Sequence, residues 1–320
     1  MRINNPQTGK TLEQGLLDVL TIIRAKRDFN PQLYIKNKSM LLNRYMSDFK
    51  LKSCVVAVSG GVDSAVVLGI VHNASRHKNS PIKNIYAILM PVFSPLAATN
   101  QKGASKRGEE IAKYFNSKKI VVDLTKSHTV LKNTIDKSIN LKGKNWAAGQ
   151  LAAYIKTPTL YYITSLLNQA NSPAVVCGTT NRDEGAYLGY FGKASDGMVD
   201  LQIISDIHKS EVCRVAKILN IPEEIINIKP SGDMFDGRTD EEVFGTTYEF
   251  VELYITYLTF TRKEKIEFSK KLNAKSKKQF EKLSKRLEKI HQYNRHKYLG
   301  KSPSVHFDIY KRFVPGGWEN

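Results

Sequence analysis

The amino-acid sequence predicts an α/β protein: a doubly wound parallel sheet with helical extensions at its N- and C-terminal ends. Three observations lead there. Short β-branched, apolar runs alternate with helical apolar patterns through the first two thirds of the chain. One of these runs, Cys54-Val55-Val56-Ala57-Val58, empties without a spacer into Ser59-Gly60-Gly61-Val62-Asp63-Ser64, and a further apolar helical pattern follows at once. Beyond about Lys209 the pattern turns helical and more polar, punctuated by Pro222, Pro230 and Gly232.

Taken in order, Thr11-Leu12-Glu13-Gln14 reads as a capping box opening a helix that runs through Ile23. A second helical stretch covers 33–49. Strands are predicted over 54–58, 85–90, 120–123 and 174–177, interleaved with helices over 64–77, 102–115 and 154–169. Sheets of this kind bind ligands at the carboxyl ends of their strands, which puts residues 59–64 on the binding edge. The expected organisation is one domain: a helical N-terminal extension (1–50), an α/β core (51–260) and a basic helical C-terminal segment (261–320).

A chain of 320 residues that is 41% hydrophobic and 25% charged has enough apolar material for one substantial core. No segment approaches the ~20 apolar residues of a membrane span, and Met1-Arg2-Ile3-Asn4-Asn5-Pro6 lacks a signal-like apolar stretch, so a cytoplasmic location is expected. Cys54, Cys177 and Cys213 are odd in number and far apart, and are read as reduced thiols. The formal charge of +19 invites a nucleic-acid reading. More than half of it, however, lies between Thr261 and Lys301, where fifteen Lys or Arg face four Glu. Phe280, Leu283, Leu287 and Ile290 recur there at helical spacing with no interleaved stacking platform, so the lysines read as the wet face of an amphipathic helix and nucleic acid is not expected as a partner.

The strand-to-helix junction is suited to phosphate. Two successive glycines free the backbone and remove Cβ atoms that would hold a bulky anion away. Ser59, Ser64 and the first helical turn add donors, backed by the positive end of the helix dipole. Asp63 beside such a cradle would repel its ligand unless a divalent cation lay between them, so the loop implies Mg²⁺ with a nucleotide. The string lacks the Lys of a Walker loop and the spacing of a dinucleotide fingerprint. It resembles the S-G-G-x-D-S loop of the N-type ATP pyrophosphatases, which cleave ATP between its α and β phosphates and hold the pyrophosphate end in that loop.

A second edge follows. Cys177-Gly178-Thr179-Thr180-Asn181-Arg182-Asp183-Glu184-Gly185 leaves a strand through glycine into polar residues. After it come Gly189-Tyr190-Phe191-Gly192-Lys193…Asp200, Asp206-Ile207-His208-Lys209-Ser210-Glu211-Val212, Lys229-Pro230-Ser231 and Asn294-Arg295-His296-Lys297. In this order and spacing, over about residues 50 to 300, the motifs resemble the NAD synthetase family. The resemblance implies a homodimer of the adenine nucleotide α-hydrolase (Rossmann-like) fold. It also implies conversion of nicotinate adenine dinucleotide (deamido-NAD) to NAD with ATP as co-substrate, ammonia as nitrogen source and Mg²⁺ as cofactor.

By the resemblance, Ser59, Gly60, Gly61, Asp63 and Ser64 hold ATP phosphates. Asp63 and Glu184 hold Mg²⁺, and a one-residue insertion before Gly189 makes Asp183 a substitute for Glu184. Thr179, Lys209, Ser231, His296 and Lys297 match further ATP positions, the last two closing over the triphosphate. Lys193 and Asp200 match substrate positions. Asp63, Lys209 and Asp200 are the catalytic candidates, with Asp200 or Asp233 assisting ammonia. Many relatives carry an A-R-x-R-M string where this chain has Ala153-Tyr154-Ile155-Lys156-Thr157. Tyr154 then stands in the place of a substrate-holding Arg, with Lys156 as the nearest cation, and Lys in place of Arg loses bidentate phosphate binding.

Only about fifty residues precede the strand that enters the phosphate loop, none of them Cys, so direct use of ammonia is expected with no glutaminase domain. Three other readings use the same loop: amidation of nicotinate mononucleotide, a tRNA-modifying ATP pyrophosphatase, and a nucleotide-binding protein without turnover. The segment Pro315-Gly316-Gly317-Trp318 reads as an exposed terminal turn.

Overall fold

Strand β1 (Ser53–Ala57) lies inside a six-stranded parallel sheet. On one side it pairs with β2 (Asn84–Leu89), which pairs with β3 (Lys118–Val121). On the other it pairs with β4 (Ala174–Gly178), followed by β5 (Leu201–Gln202) and β6 (Val305–His306). The order β3-β2-β1-β4-β5-β6 means the chain winds outward in one direction, then crosses back to build the other half. The crevice between the carboxyl ends of β1 and β4 is therefore the topological switch point. The computed structural model describes residues 11–93, 101–232, 237–298, 305–307 and 309–310; Asp233 and the turn at 315–318 lie outside these.

Alternation along β1 sends its side chains to two cores. Cys54 and Val56 face a layer that includes α2 (Pro31–Asp48), α3 (Val62–Ser75), α4 (Gln101–Tyr114) and α8 (Lys209–Ile218). Val55 faces the opposite layer with Ala152 and Leu160, from α6 (Asn145–Tyr154) and α7 (Lys156–Gln169). The amphipathic α5 (Thr125–Ile139) lies beside α6. The doubly wound class expected from the alternating pattern is the observed one, and α3 is apolar all round because it is buried all round.

A second apolar cluster lies beyond the sheet. It gathers α1 (Gln14–Arg27), α11 (Tyr248–Leu258), α12 (Arg262–Lys271) and α13 (Ala274–Asn294) around a π-turn (Glu184–Leu188). The short helices α9 (Glu223–Ile226) and α10 (Asp240–Phe244) link α8 to α11. In α13, Leu283 and Leu287 are buried while Lys275, Lys278, Lys282, Lys285 and Lys289 are exposed, the amphipathic division expected from its spacing.

Several local expectations are corrected. Thr11 does not cap α1: the N-cap is Glu13, and Gln279 of α13 supplies the bonds, accepting from the Glu13 N–H (2.8 Å) and donating to the Thr11 carbonyl (3.1 Å). The helix also continues past Ile23 to Arg27. The helix expected over 154–169 is α7, beginning at Lys156; Tyr154 instead ends α6, which was not anticipated. β3 begins at Lys118 rather than 120, α5 was not anticipated, and neither two-residue strand, β5 or β6, has enough length to show a period.

Candidate active site

The phosphate loop leaves β1 and turns into α3 within four residues. Gly60 adopts φ +80°, and a Cβ there would lie 2.3 Å from the Ala104 carbonyl oxygen of α4, so the position excludes side chains on two counts. Arg107 of α4 donates to the Gly60 carbonyl at 3.1 Å. Ser64 Oγ lies 3.2 Å from Ser59 Oγ and donates to the Gly61 carbonyl at 3.0 Å, while the Gly61 N–H donates to Ser59 Oγ at 3.3 Å. Asp63 then falls in the first turn of α3.

Opposite it, the chain leaving β4 runs into the π-turn, whose first residue is Glu184. The one-residue insertion noted before Gly189 is of the size that an α-helix absorbs as a π-turn. Asn181 Nδ2 donates to Asp63 Oδ1 (2.9 Å) and to Glu184 Oε1 (2.7 Å). Its Oδ1 accepts from the Asp183 and Glu184 amides at 3.0 and 3.2 Å, so this buried side chain is fully used. The Lys209 ammonium, from the start of α8, is paired with Asp63 Oδ2 and lies 3.5 Å from Glu184 Oε1. The hydroxyl of Tyr248 bridges Glu184 Oε1 (2.9 Å) and Asp240 Oδ2 (2.7 Å), and its ring lies beneath the Lys209 ammonium.

Burial pushes the Glu184 carboxyl up to about 8; Lys209 opposes this, and the charges of Asp63 and Asp240 add to it. Burial works against the Lys209 ammonium, but Asp63 and Glu184 more than offset it and hold the group above its usual range. Asp63 and Glu184 thus face one ammonium, and the Tyr248 hydroxyl joins Glu184 to Asp240. Their all-oxygen donors suit a hard divalent cation.

Asp183 serves a different purpose. Its Oδ2 accepts from the Lys209 amide (2.8 Å), closing the N-terminus of α8, and its Oδ1 lies 2.6 Å from His208 Nδ1. Burial raises the Asp183 carboxyl to about 7 and lowers His208 to about 3. Glu211 accepts from the His208 N–H (2.9 Å) and is gripped in turn by Arg27 at 2.5 and 3.0 Å. Of the two carboxylates left open by the sequence, Glu184 faces Asp63 and Asp183 does not.

The remaining candidates occupy other places. Thr179 is half-buried just past the end of β4, on the same edge as the loop. Asp200 accepts from the Val176 amide at 2.7 Å and from Tyr161 at 3.2 Å, extending the β4–β5 junction. Tyr154 is exposed with its hydroxyl donating to Gln150 at 3.0 Å; Lys156, at the start of α7, is lowered by burial; Lys193 is exposed. Ser231 donates to the Arg238 carbonyl at 3.1 Å. His296 is exposed, its Nδ1 lying 3.2 Å from the Tyr293 carbonyl. Lys297 donates to the Gly189 and Phe191 carbonyls at 2.7 and 2.6 Å, and burial lowers it to about 8. Together with His291 on the Tyr187 carbonyl (2.7 Å) and Asn294 on the Leu188 carbonyl (2.9 Å), it clamps the chain just after Glu184.

Sequence reasoning missed Asn181, Tyr248 and Asp240. Asn181 stood inside a quoted string, yet its bridging role depends on two carboxylates brought together by the fold. Asp240 opens the acidic first turn of α10 and Tyr248 the apolar α11, and neither takes a role until Tyr248 joins Asp240 to Glu184.

The sequence profile described as NAD synthase matches residues 34–299 of the chain. The NH(3)-dependent NAD(+) synthetase of Carboxydothermus hydrogenoformans is 34% identical over 222 residues, covering 69% of this chain and 84% of that protein. Its counterpart in Thermoplasma volcanium is 31% identical over 221 residues, with 69% and 81% covered. Among solved structures, the NMN synthetase from Francisella tularensis superposes with a TM-score of 0.65 at 22% identity, covering 84% of this chain and 96% of that one. A profile match over most of the chain, on a parallel sheet whose switch point carries the phosphate loop, establishes that this chain belongs to the NAD synthase family.

Proposed function

We propose that the cleft between the β1 and β4 loops amidates the nicotinate carboxylate of deamido-NAD with ammonia, using ATP and releasing AMP and pyrophosphate. The chain is a carbon–nitrogen ligase by family. The observation that carries the residue assignment is the meeting of Asp63 and Glu184, one from each side of the switch point, under the shared Asn181 amide and the Lys209 ammonium.

A carboxylate does not react with ammonia because oxide is a poor leaving group; adenylation supplies a better one. The carboxylate oxygen bonds to the α-phosphorus as the bond to pyrophosphate breaks. Ammonia then forms the C–N bond as AMP departs, and one ammonia proton is lost. Gly61 leaves room for phosphate beside its amide while Gly60 lets the loop close onto α4, with Ser59 and Ser64 offering hydroxyls. Lys209 supplies fixed positive charge where pyrophosphate charge develops. Asp63 and Glu184 would hold Mg²⁺, which when bound neutralises phosphate charge. Among the described residues no three His, Cys, Asp or Glu side chains form a metal site by themselves, in keeping with a cation whose shell is completed by water and phosphate.

Three further assignments belong to this reading. Exposed apolar side chains on α5–α7, among them Leu131, Ile135, Ile139, Trp146 and Tyr162, support a homodimer through that layer. The three free thiols support a reducing, cytoplasmic setting, and among the described residues no helix is long and apolar enough to cross a membrane. The packing of α1 against α11–α13 supports one domain with its N- and C-terminal segments joined in a single cluster.

The test offers purified protein ATP, Mg²⁺ and ammonium with deamido-NAD or nicotinate mononucleotide, and measures amide and AMP. Equimolar NAD and AMP are expected from the dinucleotide. Amide from the mononucleotide alone would move the substrate assignment, and no ammonia-dependent AMP with either would end this reading.

A further inference from the structure

We propose that Phe307, Ile309 and Tyr310 form a latch that sets the position of Lys209, with Lys38, Asp206 and Tyr310 as its positioning residues. The inference deepens the reading of the site given above and rests on it.

The turn before Lys209 is closed to water: residues 203–208 are each 3% exposed or less. Its polar groups must therefore find protein partners, and they find them in distant parts of the chain. Asp206 Oδ1 accepts from Lys38 Nζ (2.9 Å) and Tyr34 OH (2.8 Å), both on α2. Asp206 Oδ2 accepts from the Ile309 amide at 2.7 Å and the Tyr310 amide at 3.4 Å. Lys38 donates in addition to the Phe307 carbonyl. One wholly buried ion pair thus ties together α2, the turn leading into α8, and the segment that follows β6.

The same segment also acts through its ring. Tyr310 lies 5.9 Å from Phe29 and 6.4 Å from Tyr34, with the Arg27 guanidinium 4.4 Å above its centroid. Arg27 in turn grips Glu211 with two bonds and donates to the Asp206 carbonyl at 2.9 Å. Both routes converge on the residues flanking Lys209.

A buried ion pair is a poor source of stability, since desolvation costs about as much as the attraction returns; its better-attested use is to specify one arrangement. Here the arrangement specified is that of a turn three residues before the ammonium facing Asp63. None of the three latch residues belongs to the phosphate loop or the carboxylate cluster. The profile match ends at residue 299, so the segment 305–310 lies outside the part of the chain that defines the family.

The experiment is steady-state kinetics on the full chain, with ATP and deamido-NAD varied in turn, for Tyr310→Ala, Tyr310→Phe and Asp206→Asn. Positioning predicts that Tyr310→Ala raises the KM for ATP about tenfold and leaves the KM for deamido-NAD unchanged, while Tyr310→Phe, which keeps the ring under Arg27, restores the wild-type value. In a Lys209→Met background, Tyr310→Ala should add nothing further to the KM for ATP. An unchanged KM for ATP in folded Tyr310→Ala overturns the proposal, as does an equal rise in both KM values. If Asp206→Asn fails to fold, Tyr310→Ala decides, because it leaves the ion pair intact. Failure of the wild type to form amide would overturn the functional reading instead; nucleotide affinity, read by calorimetry on the same variants, then tests the latch separately.

Discussion

Asp63 and Glu184 stand on opposite sides of the switch point and share one hydrogen-bond donor, Asn181 Nδ2, at 2.9 and 2.7 Å. The shared amide fixes their separation without adding charge. Asn181→Ala should lower turnover about 10–100-fold and raise the Mg²⁺ concentration needed for half-maximal rate, as losses of supporting bonds around metal ligands do. Asn181→Asp should be worse, since it sets an acceptor against two carboxylates. A Mg²⁺ titration of initial rate distinguishes the three proteins; equal midpoints would remove Asn181 from this role.

Lys209 is the ammonium that faces Asp63 and Glu184. Lys209→Met should lower amide formation by about 10²–10³-fold, the usual scale for removing one electrostatic donor from a reacting centre. It also leaves the carboxylates without their counter-charge, so its thermal midpoint should rise with added Mg²⁺ more steeply than that of the wild type. Scanning calorimetry across a Mg²⁺ series reads this directly.

The Asp183–His208 pair gives a pH prediction with a definite sign. Asp183 is raised from 3.8 to about 7, so alone it would contribute stability that is lost as pH rises through that interval. His208 is lowered from 6.5 to about 3, so alone its contribution would be lost as pH falls through that interval. Between about pH 4 and 6.5 the pair holds one proton whether the chain is folded or not, and the two slopes cancel. His208→Gln should therefore lose stability as pH rises from 4 to 7, and Asp183→Asn as pH falls from 6.5 to 4, each by up to about 1.4 kcal/mol per pH unit. Urea unfolding at several pH values tests this, and slopes of the same sign in the two variants would refute it.

At Gly60 the positive φ and the Ala104 carbonyl act together. Gly60→Ala should cost about 1–3 kcal/mol from backbone strain, with further loss from displacing α4, and should abolish turnover because the cradle moves with the loop. Gly61→Ala, whose Cβ would meet only Ser59 Oγ at 3.4 Å, should be much milder in urea denaturation.

The central strands were legible because each is an apolar run ending at a glycine, proline or polar break, and burial on both faces leaves little else that such a run can become. The two-residue strands were not, because pairing rather than pattern makes them strands. Thr11 misled for a related reason: a local capping signal lost to Gln279, which lies far along the chain and is seated on α13. Asp63, Glu184 and Lys209 were legible from strings; Asn181, Tyr248 and Asp240 were not, since their chemistry arises only once separate loops share a space. Lys297 was read as a phosphate ligand and is found holding the Gly189 and Phe191 carbonyls, a use that no spacing of charges announces.

The pairing of Leu201 with Val305 has a kinetic consequence. Closing it brings together residues roughly a hundred positions apart, an entropic cost that must be met before any bond of the pair forms. The β1–β4 pairing spans a stretch at least as long, but four paired residues and the two buried cores back it where this edge has two pairs, so the inner sheet should close first and refolding should pass through a stage with a loose Asp206 turn. Such a chain would regain its secondary structure early and its affinity for nucleotide late.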